Sequence, residues 1–127
     1  MLGTGIDIVE NDRIRKACKR WEDRFLKRVF TPSEIERAGK RADKSAYFAS
    51  RFAAKEAFLK ALGTGLSGGI KWTDMEVVSL EGRRPLLSVS GRAQEFMDRM
   101  GVKTSHLSLS HERKYSIAQV VLEGEAK

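Results

Sequence analysis

The side chains best suited to chemistry in this sequence are two carboxylates and one ammonium: Asp7, Glu56 and Lys60. Glu56 and Lys60 stand four apart within residues 51–65, RFAAKEAFLKALGTG. With Glu56 at zero on a helical wheel, Ala49, Phe52, Ala53 and Leu59 fall within roughly a quarter turn of it. Most other positions are Ala, Phe or Leu, and a helix apolar nearly all round belongs inside a protein. A lone carboxylate on such a face is costly unless something positive satisfies it. Lys60, one turn on, is one candidate, and a metal ion is another. The glycines of Gly63-Thr64-Gly65 end the helix. Asp7 lies in an alternating stretch, where Asp is a disfavoured strand residue. Gly3 and Gly5 share its side of the strand and leave room for something to approach closely. Two carboxylates with no histidine or thiolate nearby in sequence suit a hard cation such as Mg²⁺. That ion typically takes one or two protein carboxylates and completes its shell with substrate phosphates and water. Lys60 could then hold a phosphate as a point charge, so the set points to phosphoryl-type transfer. The plain alternative is a Glu56–Lys60 helix pair worth about 0.2–0.5 kcal/mol.

Other chemistries find less support. There is no nucleophile elbow. Gly3-Thr4-Gly5 lacks the third glycine and the following helix of a dinucleotide fingerprint. His106 and His111 are five apart in a strand, hence on opposite faces, and cannot share a metal in a regular strand. The single cysteine, Cys18, excludes an internal disulfide and cysteine-rich zinc ligation, and fits a reducing cytoplasm. No long apolar run or signal-like start indicates a membrane span or export. The net charge of +7 calls for an anionic partner. A basic nucleic-acid-binding module is the rival reading, though no row of aromatics suggests a base-stacking surface.

The elements that must position these groups follow from local pattern. Residues 2–10 form a strand, with Leu2, Thr4, Ile6 and Ile8 on one face and Gly3, Gly5, Asp7 and Val9 on the other. Asp12 caps a first helix, with Ile14, Ala17, Cys18, Trp21 and Phe25 on its apolar face. Its opposite face carries Arg13, Arg15, Lys16, Lys19, Arg20 and Arg24, a single-sign surface suited to docking an acidic macromolecule. Thr31-Pro32-Ser33-Glu34 starts a short second helix by a capping box and runs to about Gly39. Residues 41–44 are a polar link, and Ser45 is the expected cap of the central helix. After a flexible loop at 66–69, a strand at 75–80, a turn at 81–85 and a strand at 86–90 form a hairpin. Ser90 caps a helix with Ala93, Phe96, Met97 and Met100 on one face, ended by Gly101. Strands at 106–111 and 115–122 close the chain. This order predicts one α+β domain over residues 1–127, an antiparallel sheet packed against helices.

GIDIVE at the start, RFAAKEAFLKALGTG in the middle and HLSLSH with YSIAQVVLE at the end together resemble the holo-[acyl-carrier-protein] synthases. These are the small 4′-phosphopantetheinyl transferases. The resemblance implies transfer of 4′-phosphopantetheine from coenzyme A to a serine hydroxyl of apo-acyl carrier protein. It implies release of adenosine 3′,5′-bisphosphate and a place in fatty acid biosynthesis. It makes Asp7 and Glu56 the Mg²⁺ ligands and sets Lys60 on the pyrophosphate. Arg51, Gly63, Thr64 and Gly65 would line the nucleotide site. Pro85 and His111 would face it from a neighbouring subunit of a homotrimer. Arg13, Arg20 and Arg24 would meet the acidic carrier protein. The serine needs a base, and either Glu56 or a metal-bound water could serve. The turn reads GRRP, where the family usually has glycine, one basic residue and proline, so either Arg83 or Arg84 could face the ligand.

Overall fold

The period-two pattern at the N-terminus forms strand β1, Gly3–Glu10. Here and below the fold is that of a computed structural model, which describes residues 1–80 and 82–126. Glu81, expected in the hairpin turn, lies outside the described residues. After β1 come α1 (Asn11–Val29), α2 (Pro32–Ala38) and α3 (Lys44–Leu62). A 3-10 turn at Trp72–Asp74 leads into β2 (Met75–Val78) and β3 (Leu86–Val89). Then follow α4 (Gly91–Met100), β4 (Val102–His111) and β5 (Tyr115–Gly124). The strands make two antiparallel sheets, not one: β1-β5-β4 and the β2-β3 hairpin. The α+β fold is therefore as expected from the order of elements, with the sheet divided.

Helix α3 is the centre of the core. Ala49, Ala53, Ala54, Ala57 and Phe58 are fully buried. Its small residues let the backbone lie directly on β1. A Cβ placed on Gly5 would come within 2.0 Å of the Ala57 carbonyl oxygen, and one on Gly3 within 2.1 Å of that of Ala61. The room left by these glycines is thus filled by α3, not by an incoming ligand. The opposite face of β1 is apolar and open, with Ile6 and Ile8 both exposed.

Several expected caps are held by other residues. Glu10 sits at the N-cap of α1 without a side-chain bond. The neighbouring Asn11 instead donates to the carbonyls of Glu112 and Arg113 and accepts from Ser116 Oγ, which ties α1 to β5. Asp43, not Ser45, caps α3 by accepting from the Ala46 amide. Ser90 stands at the N-cap of α4, but the amide of Ala93 goes to Asp74. The Thr31–Glu34 capping box forms as expected.

Trp21 is the main apolar residue that departs from its expected burial, being 48% exposed. α1 is broken directly after Trp21 at Glu22, whose φ of 45° and ψ of −127° are not helical. The break shifts the helical phase only of the residues after Glu22, so Trp21 keeps the register of Ile14 and is exposed at the end of that stripe. A non-glycine residue in so sparsely populated a conformation costs on the order of 1–3 kcal/mol. Glycine has no Cβ to oppose it. Glu22→Gly should therefore raise stability by about 1 kcal/mol, read by denaturant unfolding, despite replacing a residue within a helix. A loss of stability would mean that the break is not strained.

Candidate active site

β1 and α3 bring the first two functional groups together because they pack backbone to backbone. Asp7 projects from the β1 face that covers α3, and its side chain is 14% exposed. Lys60 Nζ donates to Asp7 Oδ1 and to the Ile6 carbonyl, each at 3.0 Å. Lys60 remains half exposed. Glu56, one turn earlier, is half-buried, not sealed in the core. Its carboxyl is raised above the ordinary range, first by burial and then by the negative charge of Asp7; Lys60 and Arg13 oppose the rise. Two carboxylates within repulsion range and one ammonium thus sit together where β1 meets α3, partly open to solvent. Among the described residues no group of three metal-type side chains occurs. The donor set is two carboxylates, which suits an ion that takes its other ligands from phosphate and water.

Gly63, Thr64 and Gly65 extend the same stripe. Positions 56, 60 and 63 share one helix face, and Gly63 lies about 10 Å beyond Glu56 along the axis. Gly63 ends α3 in the left-handed region at φ 82°, and Gly65 has φ 62°. Both conformations favour glycine. The Thr64 hydroxyl donates to the Gly65 carbonyl and Ser67 Oγ donates to the Thr64 carbonyl, which closes the loop on itself.

Arg51 is not part of this stripe. Five residues before Glu56, it is turned about 140° away. It is buried against Tyr47, with its guanidinium 3.9 Å from the ring centroid, and donates to Ser50 Oγ at 2.8 Å. Burial lowers its pKa from the ordinary value. Arg51 Nε and the Tyr47 hydroxyl are buried without a hydrogen-bond partner among the described residues. Arg51, Tyr47, Arg41 and His111 line one cavity of about 480 Å³. The chain therefore carries two separate surfaces: Asp7, Glu56, Lys60 and 63–65 on one, Arg51 and His111 on the other. Pro85 is half-buried just before β3. Arg83 and Arg84 are both exposed, and Arg83 lines a neighbouring basic hollow with Arg37, Lys40 and Arg41.

On α1, Arg13, Arg20 and Arg24 are all exposed. Arg15 and Lys16 pair with Asp12, whose carboxyl is lowered chiefly by Arg15. The break at Glu22 divides the basic face, so Arg24 does not continue the line of Arg13 and Arg20. Arg24 instead flanks a cleft with Trp21, Phe25 and Arg28.

The sequence reading missed the most deeply buried charges. Lys55 and Glu34 are fully buried and 2.6 Å apart. Lys55 Nζ also donates to the Val29 carbonyl. Glu34 accepts from the amides of Thr31 and Val77. One ion pair thereby fastens the end of α1, the start of α2, α3 and β2. Lys55 could have been suspected from its place beside Ala54 and Ala57 on the buried side of α3.

The sequence and fold match a known group of proteins. The family model described as 4′-phosphopantetheinyl transferase superfamily matches residues 3–120. The holo-[acyl-carrier-protein] synthase of Koribacter versatilis is 47% identical over 123 residues, covering 97% of this chain and 98% of that protein. The crystal structure of the Neisseria meningitidis holo-[acyl-carrier-protein] synthase aligns with a TM-score of 0.88 and 33% identity, covering 97% of this chain and 98% of the other. The Helicobacter pylori holo-[acyl-carrier-protein] synthase, solved in complex with coenzyme A, aligns at 0.82 with 35% identity, covering 94% and 99%. The chain belongs to the 4′-phosphopantetheinyl transferase superfamily, and within it to the holo-[acyl-carrier-protein] synthases. It is accordingly an enzyme of that family, a transferase whose relatives include proteins solved with coenzyme A. Among the described residues, no helix is long and apolar enough to cross a membrane.

Proposed function

We propose that this chain transfers 4′-phosphopantetheine from coenzyme A to a serine hydroxyl of an apo-acyl carrier protein. Adenosine 3′,5′-bisphosphate is released, and the product serves fatty acid biosynthesis in the cytoplasm. The observation that carries the reading is the Asp7–Glu56–Lys60 cluster in a chain of this family. The serine oxygen forms a bond to the phosphorus that bears the pantetheine. The bond from that phosphorus to the bridging oxygen breaks, and the bisphosphate leaves with the electron pair. Mg²⁺ held by Asp7 and Glu56 would neutralise charge on the pyrophosphate. The mutual repulsion of the two carboxylates supports that fit, since a divalent cation would relieve it. Lys60 supplies a fixed positive charge toward the leaving group. Glu56, whose carboxyl burial raises above the ordinary range, is the candidate proton acceptor on this chain.

The site is completed by a second copy of the chain. Arg51 and His111 lie on a different surface from Glu56, so one chain presents two half-sites. The unpartnered Arg51 Nε and Tyr47 hydroxyl support a polar ligand at the second half. There Arg51, His111 and Pro85 would receive the nucleotide end of coenzyme A held by a neighbour's 63–65 loop. Arg83, beside Arg41, is the better placed of the two turn arginines. The outer face of β1 and β5 offers the contact surface: Ile8 pairs with Ile117, next to exposed Ile6 and Tyr115. Contiguous exposed apolar residues of this kind mark association surfaces. The expected assembly is a homotrimer, tested by light scattering. A monomer with full activity would overturn both the trimer and the shared site.

The reaction is tested by intact-mass measurement of an apo-carrier protein incubated with the enzyme, coenzyme A and Mg²⁺. The expected result is a mass gain of one phosphopantetheine, and no gain would overturn the reading. The same assay tests α1 as the carrier surface. Arg13→Glu should raise KM for the carrier about ten-fold in dilute buffer, with less effect at 0.15 M salt, where screening acts over about 8 Å. Equal loss toward coenzyme A would refute a role confined to the carrier.

A further inference from the structure

Helix α4 contributes none of the groups assigned above. It nevertheless holds the loop that follows α3. Arg92 Nε donates to the Gly68 carbonyl at 2.8 Å. The aliphatic stem of Arg92 lies under Gly69, where an added Cβ would meet Arg92 Cγ at 3.5 Å. Its guanidinium sits 4.9 Å from the ring centroid of Phe96 and donates to Glu95 at 3.1 Å. Phe96, one helical turn on and on the same face, closes against Gly68. A Cβ on Gly68 would come within 2.8 Å of Phe96 Cζ. Gly68 and Gly69 have φ of 66° and 89°, so the loop turns in a left-handed conformation just where the two side chains grip it.

The grip reaches the candidate nucleotide loop through few bonds. Ser67 N donates to the Gly65 carbonyl at 3.1 Å and Ser67 Oγ to the Thr64 carbonyl at 2.8 Å. Ile70 N returns to the Ser67 carbonyl at 3.2 Å. On the far side, Asp74 accepts from the amides of Lys71 and Ala93, which fastens the other end of the segment to the first turn of α4. Residues 64–74 are thus suspended between the end of α3 and the start of α4. Arg92 is the side chain that bridges the gap.

We propose that Arg92 is a positioning residue: with Phe96 it clamps Gly68 and Gly69 and so presets Gly63–Gly65 to receive the nucleotide. This rests on the coenzyme A reading of the 63–65 loop. A loop held in its bound conformation has less ordering to do on binding, so the clamp acts on affinity and not on the chemical step. A ten-fold change in affinity corresponds to about 1.4 kcal/mol. Arg92→Ala should therefore weaken coenzyme A about ten-fold by calorimetry and raise KM for it equally, with kcat and the carrier KM unchanged.

The test pairs this with amide hydrogen exchange of residues 64–70 in the free protein. Exchange should quicken in Arg92→Ala, while Arg92→Lys, which keeps a charged donor but loses the planar contact with Phe96, should fall between. Unaltered coenzyme A affinity in a folded Arg92→Ala variant would overturn the proposal. So would a lower Tm with neither loop exchange nor affinity changed, since the residue would then be merely structural. If the unmodified enzyme itself failed to bind coenzyme A, the proposed function would fall instead. The exchange result would still decide whether Arg92 holds the loop.

Discussion

Glu56→Gln is expected to lower phosphopantetheine transfer by at least about 100-fold while leaving the protein folded. The substitution keeps the shape of the side chain and removes its charge and its basicity. Those are the two properties assigned to Glu56, as partner of Asp7 in holding Mg²⁺ and as the proton acceptor nearest the serine. The same variant carries a stability signature that does not depend on activity. In the folded protein the Glu56 carboxyl is raised by burial and by Asp7. At neutral pH it is ionised at a cost that the unfolded chain does not bear. Below the unfolded carboxylate range, about pH 4.3, it is neutral in both states and the cost vanishes. Unfolding stability of the unmodified protein is therefore lost, as far as this group is concerned, while pH rises from there through the raised folded value. Glu56→Gln escapes that loss. Without added Mg²⁺ it should melt higher than the unmodified enzyme at pH 7, and the difference should shrink toward pH 4. Near-normal turnover would remove Glu56 from the mechanism. An unchanged Tm at pH 7 would show that burial and Asp7 together impose no net cost on the ionised Glu56.

Lys55→Met should be the most damaging single change to stability. It strands the Glu34 carboxylate in the core with its amide donors but no counter-charge. Removing one partner of a buried pair typically costs about 3–5 kcal/mol, whereas replacing both by neutral groups is often tolerated. In a domain of this size a loss of about 3 kcal/mol corresponds to roughly 10 °C in Tm. Adding Glu34→Gln should restore part of the loss, because it removes the stranded charge while its single carboxamide oxygen still accepts from one of the Thr31 and Val77 amides, which bond different oxygens of Glu34. Thermal melts of the single and double variants at one protein concentration check this. Equal damage in the double variant would mean that the bonds to Thr31 and Val77, and not the charge balance, dominate.

What the sequence determined by itself is what depends on residues within one or two turns of each other. The helical period put Glu56 and Lys60 on one face, and Gly63 followed on the same stripe. The capping box at Thr31 and Glu34 and the glycine stops at Gly63 and Gly101 needed only their immediate neighbours. The three motifs were enough to indicate the family, because they span the chain in order. The tertiary structure decided the rest. Gly3 and Gly5 are small because α3 lies on them, which one strand cannot announce. Trp21 keeps the helical phase of Ile14 yet is exposed, because the period of a helix does not say how far along it the core extends. The Lys55–Glu34 pair joins residues 21 apart, and Asn11 finds Glu112 and Ser116 about a hundred residues away. Such partners are selected by which faces the chain brings together on collapse, and helical or strand periodicity carries no record of them. For the same reason Arg51, so close to Glu56 in sequence, was separated from it by the turn of α3 and joined to His111 by the packing of β4.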